Sequence, residues 1–332
     1  MHFFRFFSFL GFILLITSCS GYNRIVKSDD YDLKLQRAEE LYDEGSFNRA
    51  LVLYEQVYQR FPKDEKGEVS YFKMGKTYYE LEDFYMSGYY FSNFIQRFPS
   101  SKKVEESLYY SAMSSVQNSP SKALDQKETE TAIVELQYFV TRFPDSRLVD
   151  SCNAIMDRLR GKLELKALDA VQLYDRMERY NAAKTSAMNF LEEYPRSEHK
   201  VDVAYIMIMN ASKLAHRSVF SKKKERLEDV STLYNKYRDD LQISRYTSKL
   251  MVEVEKAEQE LIRVDEVVMY EQITSMYARA QAASKAKKME YLEETLKLYY
   301  NFAQRYPSSS YLRQAEEIYM RAERERSSTY SY

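Results

Sequence analysis

Apolar and polar positions along this chain recur in blocks with a fixed internal spacing. The stretch from Ala38 to Pro62 sets the pattern. Counted from Ala38, the key positions are Leu41 (+3), Gly45 (+7), Phe47 (+9), Ala50 (+12), Tyr54 (+16), Val57 (+19) and Pro62 (+24). Two runs at helical spacing are broken near Gly45 and stopped by Pro62, which predicts a helix–turn–helix unit. Ala38 and Ala50 are small enough for two helices to cross closely there, with Leu41, Tyr54 and Val57 filling the seam.

The same offsets return from Gly75, at Tyr78, Phe84, Ser87, Phe91, Phe94 and Pro99, and from Val171, at Tyr174, Tyr180, Ala183, Ala187, Phe190 and Pro195. A third unit keeps only its second helix in register (Ala132, Leu136, Phe139, Pro144). Its first helix, near Val104 to Val116, precedes a polar insertion, Gln117 to Glu130, expected to be a loop on one face. A fifth unit pairs Val203–Ala215 with Leu227–Tyr237 and lacks the proline stop. A helix over 244–268 follows, then a pair formed by Tyr270–Lys288 and Tyr291–Tyr306, and a charged helix from Tyr311 to Arg326 suited to cap an open end. Arg60-Phe61-Pro62, Arg97-Phe98-Pro99, Arg142-Phe143-Pro144 and Arg305-Tyr306-Pro307 share one wording, with Glu193-Tyr194-Pro195 close to it. The residue before proline is pushed out of helical geometry, so these triplets end helices. The offsets resemble the tetratricopeptide repeat, a two-helix unit of about 34 residues. The expected fold is all-α, a right-handed solenoid of about five to six such units with a carboxyl-terminal capping helix.

Composition agrees. Gly (7) and Pro (6) are scarce among 332 residues, whereas Tyr (31) and Phe (18) are abundant. A net charge of −1 offers no basic face for nucleic acid. The mean hydropathy of −0.59 argues against a polytopic membrane protein. There are two cysteines, Cys19 and Cys152, so a disulfide framework is excluded if Cys19 is modified. Cys152 then reads as a small core residue.

The first residues carry Arg5 and an apolar run from Phe6 to Ile16, the outline of a secretory signal peptide too short to span a bilayer. Ile16-Thr17-Ser18-Cys19 resembles the bacterial lipobox, which implies cleavage between Ser18 and Cys19 and acylation of Cys19. More than one acyl chain on that residue would hold a soluble domain on a membrane. No aspartate follows Cys19 and no acidic cluster comes early. By resemblance to bacterial sorting rules this implies the inner leaflet of the outer membrane, facing the periplasm, without the acidic export tag of Bacteroidetes surface lipoproteins. The expected organisation is a signal peptide (1–18), a lipidated polar tether (19–30), units 1–3 (31–146), units 4–5 (147–240), a helical extension and cap (241–326) and a tail (327–332).

No catalytic constellation stands out. His2 lies in the signal peptide, and His199 and His216 flank a helix. There is no glycine-rich phosphate loop and no His/Cys cluster at metal-ligand spacing, so neither cofactor nor metal is expected. Stacked helical pairs instead offer a concave face lined by first helices. Helical spacing places Leu35, Glu39, Tyr42 and Asp43 on it from the first unit, Phe72, Lys76, Tyr79 and Glu80 from the second, and Tyr109, Met113 and Val116 from the third. Rings beside isolated charges suit an extended peptide, the rings burying apolar side chains while the charges set register.

Lipobox, tether and repeats with these stops together resemble the BamD family of lipoproteins, which serve the β-barrel assembly machinery of Gram-negative outer membranes. The resemblance covers about residues 16–240. It is closest at Ala38–Pro62, Ala132–Ser146 and Leu163–Ser197, and the unit beyond Tyr270 departs from it. It implies a non-catalytic adaptor whose carboxyl-terminal units dock the POTRA region of BamA. Its amino-terminal units would engage nascent outer-membrane β-barrel proteins, and other lipoproteins of the same complex could join. Two further readings remain at this stage. One is a repeat scaffold for another cell-envelope complex, since fold does not fix partner. The other is a glycan-binding lipoprotein of the SusD type, against which the absence of Trp counts.

Overall fold

The computed structural model describes residues 21–242 and 244–329. The signal segment, Ser18 and Cys19 lie outside the described residues. Among the described residues the regular structure is helical: α1 (Tyr31–Asp43), α2 (Phe47–Arg60), α3 (Glu65–Glu80), α4 (Phe84–Arg97), α5 (Val104–Asn118), α6 (Lys127–Arg142), α7 (Val149–Arg176), α8 (Tyr180–Glu193), α9 (Lys200–His216), α10 (Phe220–Leu241), α11 (Thr247–Ala282), α12 (Lys285–Arg305) and α13 (Leu312–Thr329). They form two compact units that meet in sequence at Lys166 and Ala167. In each, successive helices pack on one another as antiparallel hairpins. First helices also touch across hairpins, α1 with α3 and α3 with α5, and in the second unit α9 with α11. This is a helical-repeat solenoid fold of the expected class.

The recurrent turn has one physical explanation. Gly45, Glu82 and Glu178 all occupy the +7 position and all adopt left-handed backbone, with φ of +74°, +57° and +53°. Each closes a Schellman cap, in which the amide two residues past the helix end reaches back to the last turn. Ser46 N–H donates to the Leu41 carbonyl (2.7 Å), Asp83 N–H to Tyr78 (3.0 Å) and Arg179 N–H to Tyr174 (3.0 Å). The +3 residue, buried in the seam at Leu41, therefore also supplies the carbonyl that terminates the helix.

The stops are equally uniform. Phe61, Phe98, Phe143, Tyr194 and Tyr306 have φ between −130° and −120° and ψ between 58° and 66°. Each donates its amide to the carbonyl four residues back. After Pro99, Pro144, Pro195 and Pro307 the next helix starts five residues on, whereas after Pro62 it starts three residues on. The tighter turn requires Gly67, because a Cβ there would stand 1.7 Å from the Phe61 carbonyl oxygen.

The core lies along the helix crossings. Ala38, Ala50, Ala132, Ala183 and Ala187 are fully buried. Gly75 stands in for alanine because a Cβ would come 3.0 Å from the Phe91 ring. Phe72, Phe91 and Phe94 form the centre of the second repeat, with ring centroids 5.6 Å apart from Phe72 to each partner. Cys152 is fully buried among Leu136, Phe139 and Met156, and burial pushes its thiol pKa up.

Three expectations need correction. Residues 21–26 are helical, and Tyr22, Ile25 and Val26 pack onto the first core, so this stretch is docked rather than a polar tether. Tyr22 donates its hydroxyl to the Arg49 carbonyl at 3.1 Å and Arg49 lies over its ring. Residues 247–282 form one 36-residue helix where two had been expected, because no Gly or Pro interrupts them. The Gln117–Glu130 insertion is pinned rather than simply solvated. Lys162 donates to the Pro120 carbonyl at 2.8 Å, Lys166 reaches the Lys122 carbonyl at 3.3 Å, and buried Gln126 donates to the carbonyls of Ser121 and Leu124 at 2.9 Å.

Candidate functional site

The candidate peptide-binding residues all belong to the first unit, on α1, α3 and α5. The repeat dictates their pairing. Tyr42 and Tyr79 share the +4 position, and each is held edge-on by the +9 aromatic that opens the second helix. Tyr42 meets Phe47 at 5.4 Å and Tyr79 meets Phe84 at 5.3 Å. Glu39 and Lys76 share +1, and Asp43 and Glu80 share +5, so charge alternates about a fixed ring.

The structure brings the tyrosines and charges together. The Tyr42 hydroxyl donates to Glu80 at 3.4 Å, and Lys73 sits 4.7 Å above the Tyr42 ring. Burial, then the neighbouring Glu80 carboxylate, pushes the Tyr42 pKa up, keeping it a neutral donor. Lys76 donates to the Tyr110 hydroxyl at 2.5 Å, lies 3.7 Å from the Tyr110 ring centroid and comes within 3.6 Å of Glu106. Tyr79 and Tyr110 meet edge-on at 5.1 Å. Glu39, Asp43 and Glu80 are exposed. The result is a continuous surface of rings and alternating charge from α1 to α5.

Other predicted residues sit elsewhere. Phe72 is 5 % exposed and Val116 9 %, so both are core residues rather than open-face residues. Helical spacing could not see this, since Phe72 faces Phe91 and Phe94 across its own hairpin. Leu35, Tyr109 and Met113 are partly buried against the hydrophobic cores, Tyr109 edge-on to Phe139 at 5.8 Å. Sequence reasoning missed Lys73 and Tyr110. The signal was present, because Tyr110 stands 34 residues after Lys76, one repeat period on.

Chemically the surface offers hydrogen-bond donors, acceptors and ring faces. Among the described residues no group of three or more His, Cys, Asp or Glu side chains could hold a metal ion, and no helix is long and apolar enough to cross a membrane.

Residues 30–227, more than half of the chain, match the model of the family described as "YfiO: Outer membrane lipoprotein". A curated relative, "Outer membrane protein assembly factor BamD" of Pasteurella multocida (strain Pm70), is 20 % identical over 202 residues, covering 58 % of this chain and 77 % of that protein. Among solved structures, a tetratricopeptide repeat protein from Parabacteroides merdae ATCC 43184 is 12 % identical with a TM-score of 0.30, covering 88 % of this chain and 100 % of its own. The apo form of RapI is 14 % identical with a TM-score of 0.29, covering 89 % and 98 %.

Proposed function

The chain belongs to the YfiO, or BamD, family of outer membrane lipoproteins, and from that premise we propose that it is a non-catalytic adaptor in the assembly of outer-membrane β-barrel proteins. The family match over residues 30–227 carries this reading. In it, Cys19 bears the lipid that fastens the chain to the periplasmic side of the outer membrane. The ring-and-charge face of α1, α3 and α5 takes an extended segment of an unfolded barrel protein. The carboxyl-terminal hairpins dock the POTRA region of BamA. Tethering would raise the local concentration of client near the insertion machine without any covalent step.

The face suits such a client. The half-buried rings of Tyr42, Tyr79 and Tyr110 give apolar surface for the alternate side chains of a β-prone segment, while Glu39, Asp43 and Glu80 are exposed and select by charge. A photoreactive amino acid placed at Tyr79 in living cells tests this. Crosslinks to unfolded barrel proteins are expected, reduced by Glu39→Lys together with Glu80→Lys. Crosslinking that is insensitive to the charge reversal would contradict the assignment of the face.

A second reading, a scaffold for another envelope complex, is favoured for one segment only. Residues 228 onward fall outside the family match and include the helices α11, α12 and α13. BamA capture that survives deletion of α12 and α13 would remove this segment from the BamA dock and leave it free for a separate partner.

A further inference from the structure

In the first unit, the second helices α4 and α6, with the first helix α5 between them, line a half-open cleft of about 260 Å³. That is below the range typical of small-molecule sites and matches one side chain better than a whole ligand. Tyr85 and Tyr89 of α4 form one wall, Glu128 and Glu135 of α6 the other, and Ser115 of α5 lies at the base. The spacing explains the convergence: Tyr85 and Tyr89 are four residues apart, and Glu128 and Glu135 seven, so each pair shares a helix face.

Two features of the cleft are unusual for a solvated helix surface. Tyr85 is 70 % and Tyr89 56 % exposed, although nearly all other rings of this unit are packed. Glu135 is half-buried and accepts one hydrogen bond, from the Ser115 hydroxyl at 2.7 Å. Burial pushes its pKa up, the serine only partly opposes this, and among the described residues no cation lowers it. The one basic side chain at the cleft, Lys127, is exposed at the start of α6. Two carboxylates against one ammonium leave the cleft negative.

A desolvated carboxylate without a counter-ion, facing open tyrosine rings, is complementary to a cation carrying an apolar stem. We infer that this cleft receives an arginine side chain of a partner polypeptide. The guanidinium would pair with Glu135 and Glu128 while Tyr85 and Tyr89 cover its methylenes and face its charge. Arginine fits better than lysine because its planar fork can serve two carboxylates and stack on a ring at once, and because it is the more weakly hydrated cation. Val134 and Tyr138, exposed on α6 on either side of Glu135 in sequence, offer apolar surface for the residues flanking the arginine. The cleft shares α5 with the ring-and-charge face but uses Ser115 of that helix where the face uses Tyr110, so the two sites have no residue in common.

The test uses the full chain and a fluorescent probe peptide, acetyl-Gly-Leu-Arg-Leu-Gly-amide, titrated at low salt, with matched peptides carrying lysine or citrulline in place of arginine. The arginine peptide should bind saturably and most tightly. Citrulline, which keeps the shape and loses the charge, should weaken it by about tenfold or more. Glu135→Gln, which keeps the serine hydrogen bond, should cause a similar loss, and Tyr85→Ala a smaller one. Thermal melts establish that each variant is folded; if Glu135→Gln is not, Glu128→Gln and Tyr85→Ala carry the comparison. Equal binding of the arginine and citrulline peptides, unchanged binding by the folded variants, or no saturation of the arginine peptide at millimolar concentration would each overturn the proposal. None of these results depends on whether the ring-and-charge face binds a barrel protein or the carboxyl-terminal hairpins bind BamA.

Discussion

Single residues carry much of the repeat's geometry. At Glu82 a non-glycine side chain is held at φ +57°, where L-residues are strained by roughly 1–2 kcal/mol. Glu82→Gly should relieve that strain and raise stability by about 0.5–1 kcal/mol, offset in part by glycine's larger unfolded-state entropy. Denaturant titration checks this, and a loss of stability would show that the left-handed conformation costs less than supposed. Gly67 behaves in the opposite way. Gly67→Ala forces a Cβ into the Phe61 carbonyl and should cost about 1–3 kcal/mol, an overpacking penalty the tight turn after Pro62 cannot easily relax. Asp265 is a third case. It accepts from Tyr306 and Arg305 at 2.8 and 2.9 Å and pairs with Lys224, tying α10, α11 and the stop after α12 together. Burial alone would raise its pKa. Hydrogen bonds from Lys224 and Tyr306 and the charges of Lys224 and Arg305 outweigh it and hold the carboxyl below its ordinary range. The Tyr306 hydroxyl is correspondingly raised to about 12, by burial and then by this carboxylate. A depressed carboxyl contributes stability that is complete above the unfolded pKa of about 3.9 and is lost as pH falls through the folded value. Asp265→Asn should therefore lower the melting temperature at neutral pH, with a cost of about 1–3 kcal/mol, and the gap from the parent chain should close in acid. A gap independent of pH would assign the effect to packing instead.

At the scale of elements, the stops and crossings were legible because each depends on a few neighbouring residues. Arg-Phe-Pro ends a helix through the geometry of the residue before proline, and Ala38 or Ala50 marks a close crossing by size alone. What was not legible depends on partners distant in sequence. Nothing in the stretch Tyr22 to Val26 shows that it lies against the first core, because that surface is made by α1 and α2. Tyr270 fits a helix start as well as a helix interior, and only the uninterrupted ladder decides for the interior. On the candidate face, Tyr42 and Tyr79 were placed by spacing, but Phe72 and Val116 were not, since burial depends on which side chain fills the facing hairpin. The insertion before α6 shows the same limit. Lys162 and Lys166 lie more than 40 residues from the carbonyls they hold. The Lys162 ammonium pKa is lowered, by burial and then by Arg158, and it remains a donor to the loop. Replacing both lysines with alanine should free the segment between Ser119 and Asp125, and subtilisin should then nick it first. Unchanged proteolysis would mean that Gln126 and the loop's own turns suffice.

At the scale of the molecule, the proposed role asks stacked hairpins for a recognition surface and for no covalent step. Stability in such a fold is a sum of repeat and neighbour terms, so local defects weaken single hairpins before the whole chain unfolds. That suits an adaptor, whose work is to hold one polypeptide beside another at a membrane. In the proposed reading anchoring is separable from recognition: Cys19→Ala should leave the chain soluble in the periplasm with the proposed peptide-binding face intact, and a variant still sedimenting with outer membranes would contradict lipid anchoring there. The adaptor reading itself is tested most directly by depleting the protein from growing cells and quantifying the outer-membrane proteome. The account predicts that integral β-barrel proteins fall while other lipoproteins hold their level and unfolded barrel precursors build up in the periplasm. Unchanged barrel levels after depletion would contradict it.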